Sequence, residues 1–206
     1  MIRILLVDDH SLVRIGLRFV LEAEPDFAVV GEASDSAEAL KLFREVNPDV
    51  VLLDIRMPHV SGLETLVQLR AIDATAKVVM LTTSNLEEDI YQSVTAGAVG
   101  YLLKDSAPTE IVAGVRAATA GKKIFPPDVM ERLHVRQHQP DLSPRQREIL
   151  EWLARGRSNK EIAQALNISV DSVKTHLKAL FLKLEAVDRS EAVTLAIQRG
   201  IIKLDQ

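Results

Sequence analysis

The 206-residue chain has no cysteine, which excludes disulfides and thiolate metal sites. No stretch approaches the roughly twenty apolar residues that a membrane span needs. The opening segment from Met1 holds an apolar run too short for a signal peptide and ends in Asp8 and Asp9, so a cytoplasmic protein without membrane contact is expected. A Gly-rich phosphate loop, a Ser/His/Asp set and a metal-binding histidine cluster are all missing. Only His134 and His138, of five histidines, stand at helical spacing, where solvent exposure is expected rather than metal ligation. What remains is an ordinary soluble composition, 47% hydrophobic and 26% charged.

The net charge of −4 speaks against nucleic-acid binding, but its distribution does not. Residues 1–140 carry 14 Lys and Arg against 20 Asp and Glu, a net of −6; residues 141–206 carry 11 against 9, a net of +2. An acidic front and a mildly basic back fit two units with different partners.

Five short β-rich runs mark the first 120 residues: Ile2–Val7, Phe27–Val30, Val50–Leu53, Val78–Leu81 and Gly100–Leu103. Amphipathic stretches lie between and after them, near Leu12–Leu21, Ala37–Val46, Leu63–Ile72, Glu87–Ala96 and Glu110–Ala120. Asp35…Glu38 and Ser61…Glu64 have capping-box spacing, and Pro108 suits a first helical turn. Continuous apolar strands alternating with helices predict a doubly wound, five-stranded parallel sheet whose function collects at the strands' carboxyl ends. From Gly121 to Asp141 the pattern breaks, giving a linker with one short helix near Asp128–Val135. Residues 142–206 then read as four helices. Ser143-Pro-Arg-Gln and Ser158-Asn-Lys-Glu161 open two of them, Ser169 leads into a long one to Leu184, and a last one spans Ser190–Arg199. The fold class is thus α/β followed by all-α.

Polar residues end the apolar runs in a telling way. Asp8 and Asp9 follow the first, Asp54 the third, Thr82 the fourth and Lys104 the fifth. Each alone is an ordinary turn, strand or surface residue. Together, three carboxylates converging at one sheet edge repel one another unless a cation sits among them, and oxygen-only ligands favour Mg²⁺. A hydroxyl and an ammonium beside such an ion suit phosphoryl transfer.

These residues carry a resemblance. Asp8-Asp9, Leu53-Asp54-Ile-Arg-Met-Pro58 with Gly62, Leu81-Thr82 and Gly100-Tyr-Leu-Leu-Lys104 resemble the receiver domains of bacterial two-component systems over about residues 1–120. The resemblance implies that Asp54 accepts a phosphoryl group from a sensor histidine kinase. It implies that Asp9, Asp54 and the Arg56 carbonyl hold Mg²⁺, with Asp8 assisting through water. Lys104 would pair with the phosphoryl group, Thr82 would move toward it, and Tyr101 would pack inward in response. Many receivers follow the lysine with proline, where this chain has Asp105. Arg56 and Ser84 flank the site and could tune hydrolysis of the acyl phosphate. Family analogy alone places kinase contacts at Leu12, Ile15 and Gly16.

In the C-terminal part, Val173, Leu177, Leu180 and Leu184 recur at helical spacing as a buried stripe, with Asp171, Lys174, Thr175 and Lys178 opposite. A helix exposed in this way can enter a DNA major groove. Leu142-Ser-Pro-Arg-Gln-Arg-Glu148, Gly156-Arg-Ser-Asn-Lys-Glu-Ile-Ala163, Ile168-Ser-Val-Asp-Ser-Val-Lys-Thr-His176 and Arg189-Ser-Glu-Ala192 resemble the LuxR-type helix-turn-helix. Joined to a receiver, this is the NarL/FixJ type of response regulator. The resemblance implies that Lys174, Thr175 and Lys178 face base edges of double-stranded DNA. Ser158, Asn159, Lys160, Ser172 and His176 would approach phosphates or position the helix. It further implies a homodimer on activation, aided by the last helix. Phosphorylation would act either through that pairing or by releasing a masked helix-turn-helix. A scaffold whose helix-turn-helix has lost DNA is the competing reading, and the Lys174/Lys178 face argues against it. As an enzyme, its only chemistry would be Mg²⁺-assisted transfer to its own Asp54 and hydrolysis of the product.

Overall fold

The computed structural model describes residues 1–83, 86–125, 127–138 and 140–202, with every side chain among them except those of Asp128 and Arg132. The chain divides into two compact units, Met1–Asn85 with Asp89–Arg132, and Leu86–Glu88 with Leu133–Gln206. Ser84, named above as a neighbour of the phosphoryl site, lies outside the described residues.

In the first unit, β1 (Ile2–Val7), β2 (Phe27–Ala33), β3 (Val50–Asp54), β4 (Val78–Thr82) and β5 (Gly100–Leu103) form one sheet in the order β2-β1-β3-β4-β5. All pairings are parallel. Around the strands lie α1 (Ser11–Glu22), α2 (Ser36–Val46), α3 (Gly62–Ile72), α4 (Glu87–Thr95) and α5 (Pro108–Thr119). Strand β2 runs three residues past its expected end. It lies at the sheet edge, where Gly31 and Glu32 can pair with Leu5 and Leu6 after a register shift in β1. An edge strand exposed on one side tolerates polar residues that break an apolar run.

The core follows from strand alternation. Ile4, Leu6, Leu52, Val79, Leu81 and Leu102 pack with Leu17 and Leu21 of α1 and Ile111, Val115 and Ala118 of α5. The intervening Leu5, Val7, Leu53 and Met80 point the other way and are equally buried. The order reverses at β1, so β1 and β3 send their following connections to opposite sides and open a crevice at their carboxyl ends. Asp8, Asp9 and Asp54 stand at that crevice.

Caps fix where the helices begin. Ser61 accepts from the Glu64 amide while Glu64 accepts from the Ser61 amide, completing the expected box. Asp35 caps α2 through the Glu38 amide, but the Glu38 carboxylate reaches one residue further back, to the Ser34 amide and hydroxyl. Past α5, Ile124 forms a one-residue parallel bridge to Gly100, so the chain stays paired to β5 beyond the expected end at residue 120. The following helix, α6, covers Pro127–Gln137 and is longer than expected. His134 and His138 are exposed. Their rings stand 4.5 Å apart, and the His138 Nδ1 lies 2.7 Å from the His134 carbonyl oxygen.

The second unit contains α7 (Pro144–Ala154), α8 (Asn159–Ala165), α9 (Val170–Leu184) and α10 (Arg189–Gln198). Its core joins Ile149, Leu150 and Leu153 of α7 with Ile162 of α8, Val173, Leu177, Leu180 and Leu184 of α9, and Ala192 and Ala196 of α10. Asn167, at φ 52°, makes the turn between α8 and α9. Helix α10 begins one residue earlier than expected, because Asp188 accepts from the Glu191 amide. Ser143 and Gln146 form a complete capping box on α7. Ser143→Ala will therefore lower the stability of this unit by about 1 kcal/mol. Urea titration followed by the single Trp, Trp152 in α7, reads that loss directly.

Candidate functional site

Three carboxylates meet where β1 and β3 end. Ligand atoms of Asp8, Asp9, His10 and Asp54 all lie within 4.8 Å of one another. Asp8 and Asp54 are 1% and 2% exposed, so neither relies on water for its charge. Lys104, just past β5, spans them: its Nζ is 2.7 Å from Asp8 Oδ2 and 2.8 Å from Asp54 Oδ2. His10 Nδ1 lies 2.8 Å from Asp9 Oδ1 and 3.4 Å from Asp8 Oδ1.

Burial pushes the Asp54 carboxyl above its ordinary value, against the opposing pull of the Lys104 ammonium and the Arg56 amide; neighbouring Asp8 adds to the rise. Burial works to lower the Lys104 ammonium, but its bonds to Asp54 and Asp8 outweigh that and hold it above its ordinary value. Asp54 thus rises through burial, and Lys104 rises because it serves two carboxylates at once. The site is therefore short of positive charge.

Fit to a divalent ion can be judged from the oxygens. Asp8 Oδ2 and Asp54 Oδ2 have Lys104 beside them, and Asp9 Oδ1 has His10. Three carboxylates with one ammonium and one imidazole beside them keep lone pairs and negative charge to spare, and clustered hard oxygens of this kind suit Mg²⁺. The residues fit such an ion.

The flanking residues are placed as follows. The Arg56 amide donates to Asp54 Oδ1 at 3.2 Å, and its guanidinium reaches Asp89 Oδ2 in α4 at 3.1 Å. Thr82 ends β4 fully buried, and its carbonyl accepts from the Lys104 amide at 2.8 Å. Tyr101 is also fully buried, in β5 opposite Met80. Asp105 is exposed. Three supports were not evident in the sequence. Arg14 of α1 donates to the Asp8 carbonyl at 2.6 Å and fixes the end of β1. His10 joins the acid cluster, and Asp89 is the buried partner of Arg56. Gly62 lies so close to β3 that a Cβ there would sit 1.8 Å from the Asp54 carbonyl oxygen.

In the second unit, Lys174, Thr175 and Lys178 are exposed on α9, with Val173 and Leu177 buried behind them. The Lys174 ammonium is 3.0 Å from Asp171 Oδ1, and the Thr175 hydroxyl donates to the Asp171 carbonyl. Ser172 shares a hydroxyl contact of 2.8 Å with Ser169, which caps α9. Ser158 and Lys160 are exposed at the start of α8, Asn159 is half-buried there, and His176 is half-buried on α9. Long-range bonds lock these helices together. Arg145 donates to the Leu166 carbonyl at 2.7 Å, and Lys183 holds the Asp141 carbonyl and Gln146 Oε1.

Comparison with known proteins agrees with both halves. The family described as "Response regulator receiver domain" matches residues 4–116, and "Bacterial regulatory proteins, luxR family" matches residues 140–196. The chain is a LuxR-type response regulator. This regulator is 41% identical to the nitrate/nitrite response regulator protein NarP of Escherichia coli strain K12, over 96% of its own length and 95% of that relative's. Among solved structures it resembles response regulator ChrA of a heme-sensing two-component system, at 39% identity and a TM-score of 0.58, with 98% of each chain covered. It also resembles the two-component response regulator RcsB in complex with DNA, at 25% identity and a TM-score of 0.71, covering 96% of this chain and 98% of that one. The regulator thus couples a receiver to a DNA-binding module and acts on transcription. No helix among the described residues is long and apolar enough to cross a membrane.

Proposed function

We propose that Asp54 is the phosphoacceptor and that its phosphorylation by a sensor histidine kinase controls binding of the α9 face to double-stranded DNA. The observation that carries this reading is one buried carboxylate, Asp54, paired with the Lys104 ammonium that it shares with a second buried acid, Asp8, at the sheet's switch point. The Asp54 carboxylate attacks the phosphorus of a phosphohistidine, and the phosphorus–nitrogen bond breaks with its electrons passing to the imidazole. Asp8, Asp9, Asp54 and the Arg56 carbonyl would hold Mg²⁺, whose charge, when bound, offsets that on the phosphoryl oxygens. Lys104, freed from pairing with the Asp54 carboxylate once that is phosphorylated, takes the phosphoryl oxygens as its partner. The Thr82 hydroxyl moves toward the same group, with Tyr101 filling the space inside. Beyond this self-directed transfer and hydrolysis of the acyl phosphate, the chain is not an enzyme.

The output follows from the second unit. Lys174, Thr175 and Lys178 face base edges, while Ser158, Asn159, Lys160, Ser172 and His176 meet phosphates or hold the helix in place. The likeness to RcsB in its DNA complex supports this assignment. Residues 1–120 form the receiver domain, 121–141 the linker and 142–206 the DNA-binding domain. The working form is a cytoplasmic homodimer, which doubles the DNA contacts without altering either recognition helix. Leu12 and Ile15, 79% and 63% exposed on α1, offer the kinase an apolar contact together with Gly16.

Intact-mass measurement after incubation with Mg²⁺ and a small acyl-phosphate donor tests this reading. Wild type gains one phosphoryl group and binds a promoter-fragment pool more tightly; Asp54→Asn does neither. Because burial disfavours the Asp54 charge, Asp54→Asn will also raise the thermal midpoint of the unphosphorylated chain. Uptake of phosphate by Asp54→Asn, or equal DNA binding with and without phosphate, would overturn the assignment.

A further inference from the structure

The base-facing stripe of α9 has four members, and one of them is an acid. Asp171, Lys174, Thr175 and Lys178 stand at positions i, i+3, i+4 and i+7, which on a helix form one continuous row. All four are exposed, Asp171 at 89% of its side chain. Asp171 sits in the first turn of a 15-residue helix whose opposite stripe, Val173, Leu177, Leu180 and Leu184, is buried. The first turns of a recognition helix reach deepest into the major groove. A carboxylate there approaches phosphates at a cost, so a solvated acid in this row is a handicap unless it meets a donor on a base edge.

We propose that Asp171 is a specificity-determining residue that reads the exocyclic amino group of a cytosine, an inference that rests on the DNA-binding reading of α9. Lys174 Nζ meets Asp171 Oδ1 at 3.0 Å, which sets a hydrogen-bond donor and an acceptor side by side at the tip of the helix. Oδ2 is left to accept from a cytosine N4 amino group, whereas the other major-groove donor, adenine N6, is read better by an amide. The helix start does not depend on the Asp171 side chain, because the Ser169 hydroxyl caps α9 through the Ser172 amide. Substitutions at Asp171 therefore leave the fold intact.

Selection from a random double-stranded pool, using the full phosphorylated chain, tests the proposal. Wild type enriches cytosine at one position of each half-site. Asp171→Asn moves that same position toward adenine, because an amide bonds both N6 and N7. Asp171→Ala flattens the preference there and lowers the ratio of specific to non-specific affinity roughly tenfold, while non-specific binding strengthens. If wild type selects a site that Asp171→Asn and Asp171→Ala select unchanged, Asp171 reads nothing and this inference alone falls. If wild type enriches no sequence, the α9 stripe does not read bases, and both readings fall.

Discussion

Replacing Lys104 with methionine will destabilise the unphosphorylated, metal-free chain by about 3–5 kcal/mol near neutral pH. The argument starts from burial. Asp8 and Asp54 are 1% and 2% exposed, and Lys104 Nζ lies within 2.8 Å of both. Methionine fills most of the lysine volume, so packing alone predicts a small change. Electrostatics predicts a large one, because two buried carboxylates lose their shared cation and neither can turn to water. The larger effect decides. Divalent cation should restore more stability to the variant than to wild type, since the acids then have no competing partner.

The loss will also depend on pH in a definite direction. Burial already holds Asp54 above its ordinary value, and removing the ammonium raises it further. A carboxyl whose value is higher in the fold than in the unfolded chain contributes stability at low pH and loses it as pH rises through the folded value. The variant therefore recovers toward wild type as pH is lowered from near neutral, through the raised Asp54 value, into the ordinary carboxyl range. Urea titration at both pH values checks this, with Trp152 fluorescence as a control for the second unit. Equal stability of the two proteins near neutral pH would mean that Lys104 is not the counter-charge of the acid cluster.

The strand ends and the helix starts could be read in the sequence because both are local. Asp54 ends an apolar run of strand length, and Ser143, Ser158 and Ser61 announce helices through a partner three residues on. Convergence of Asp8, Asp9 and Asp54 followed from topology, since parallel strands with helical crossovers deliver their ends to one edge. Contacts between distant segments left no such trace. Asp89 meets Arg56 across 33 residues, and Lys183 meets Asp141 across 42; no spacing rule connects them. Arg14 was hidden differently. As one of two arginines on amphipathic α1 it looks like a solvated charge, until the turn after β1 brings the Asp8 carbonyl to its guanidinium. Asp171 was visible on the polar side of α9. Its place in the base-facing row becomes a chemical statement only with its contact to Lys174.

Gly62 shows how close β3 lies to the helix that follows it. Gly62→Ala will cost roughly 3 kcal/mol or more, at the upper end of what overpacking costs. Helix propensity predicts the opposite sign, since Ala is favoured over Gly in helices by up to about 1 kcal/mol. Conformation offers no objection either, because the Gly62 backbone lies outside the left-handed region. The obstacle is space. A Cβ at Gly62 would stand 1.8 Å from the Asp54 carbonyl oxygen, 2.8 Å from its carbonyl carbon and 2.9 Å from Ile55 Cα. All three are backbone atoms, so no rotamer change relieves the clash. Either α3 retreats, breaking the 2.9 Å bond from the Gly62 amide to the Ile55 carbonyl, or the end of β3 moves and takes Asp54 away from Lys104. Both routes disturb Asp54, so phosphoryl uptake by the proposed acceptor should fall together with stability. Hydrogen exchange along β3 localises the damage, and an unchanged Trp152 transition shows that the second unit is spared. An alanine variant as stable as wild type, phosphorylated at the same rate, would show that β3 and α3 are free to separate and that the close approach does not hold Asp54 in place.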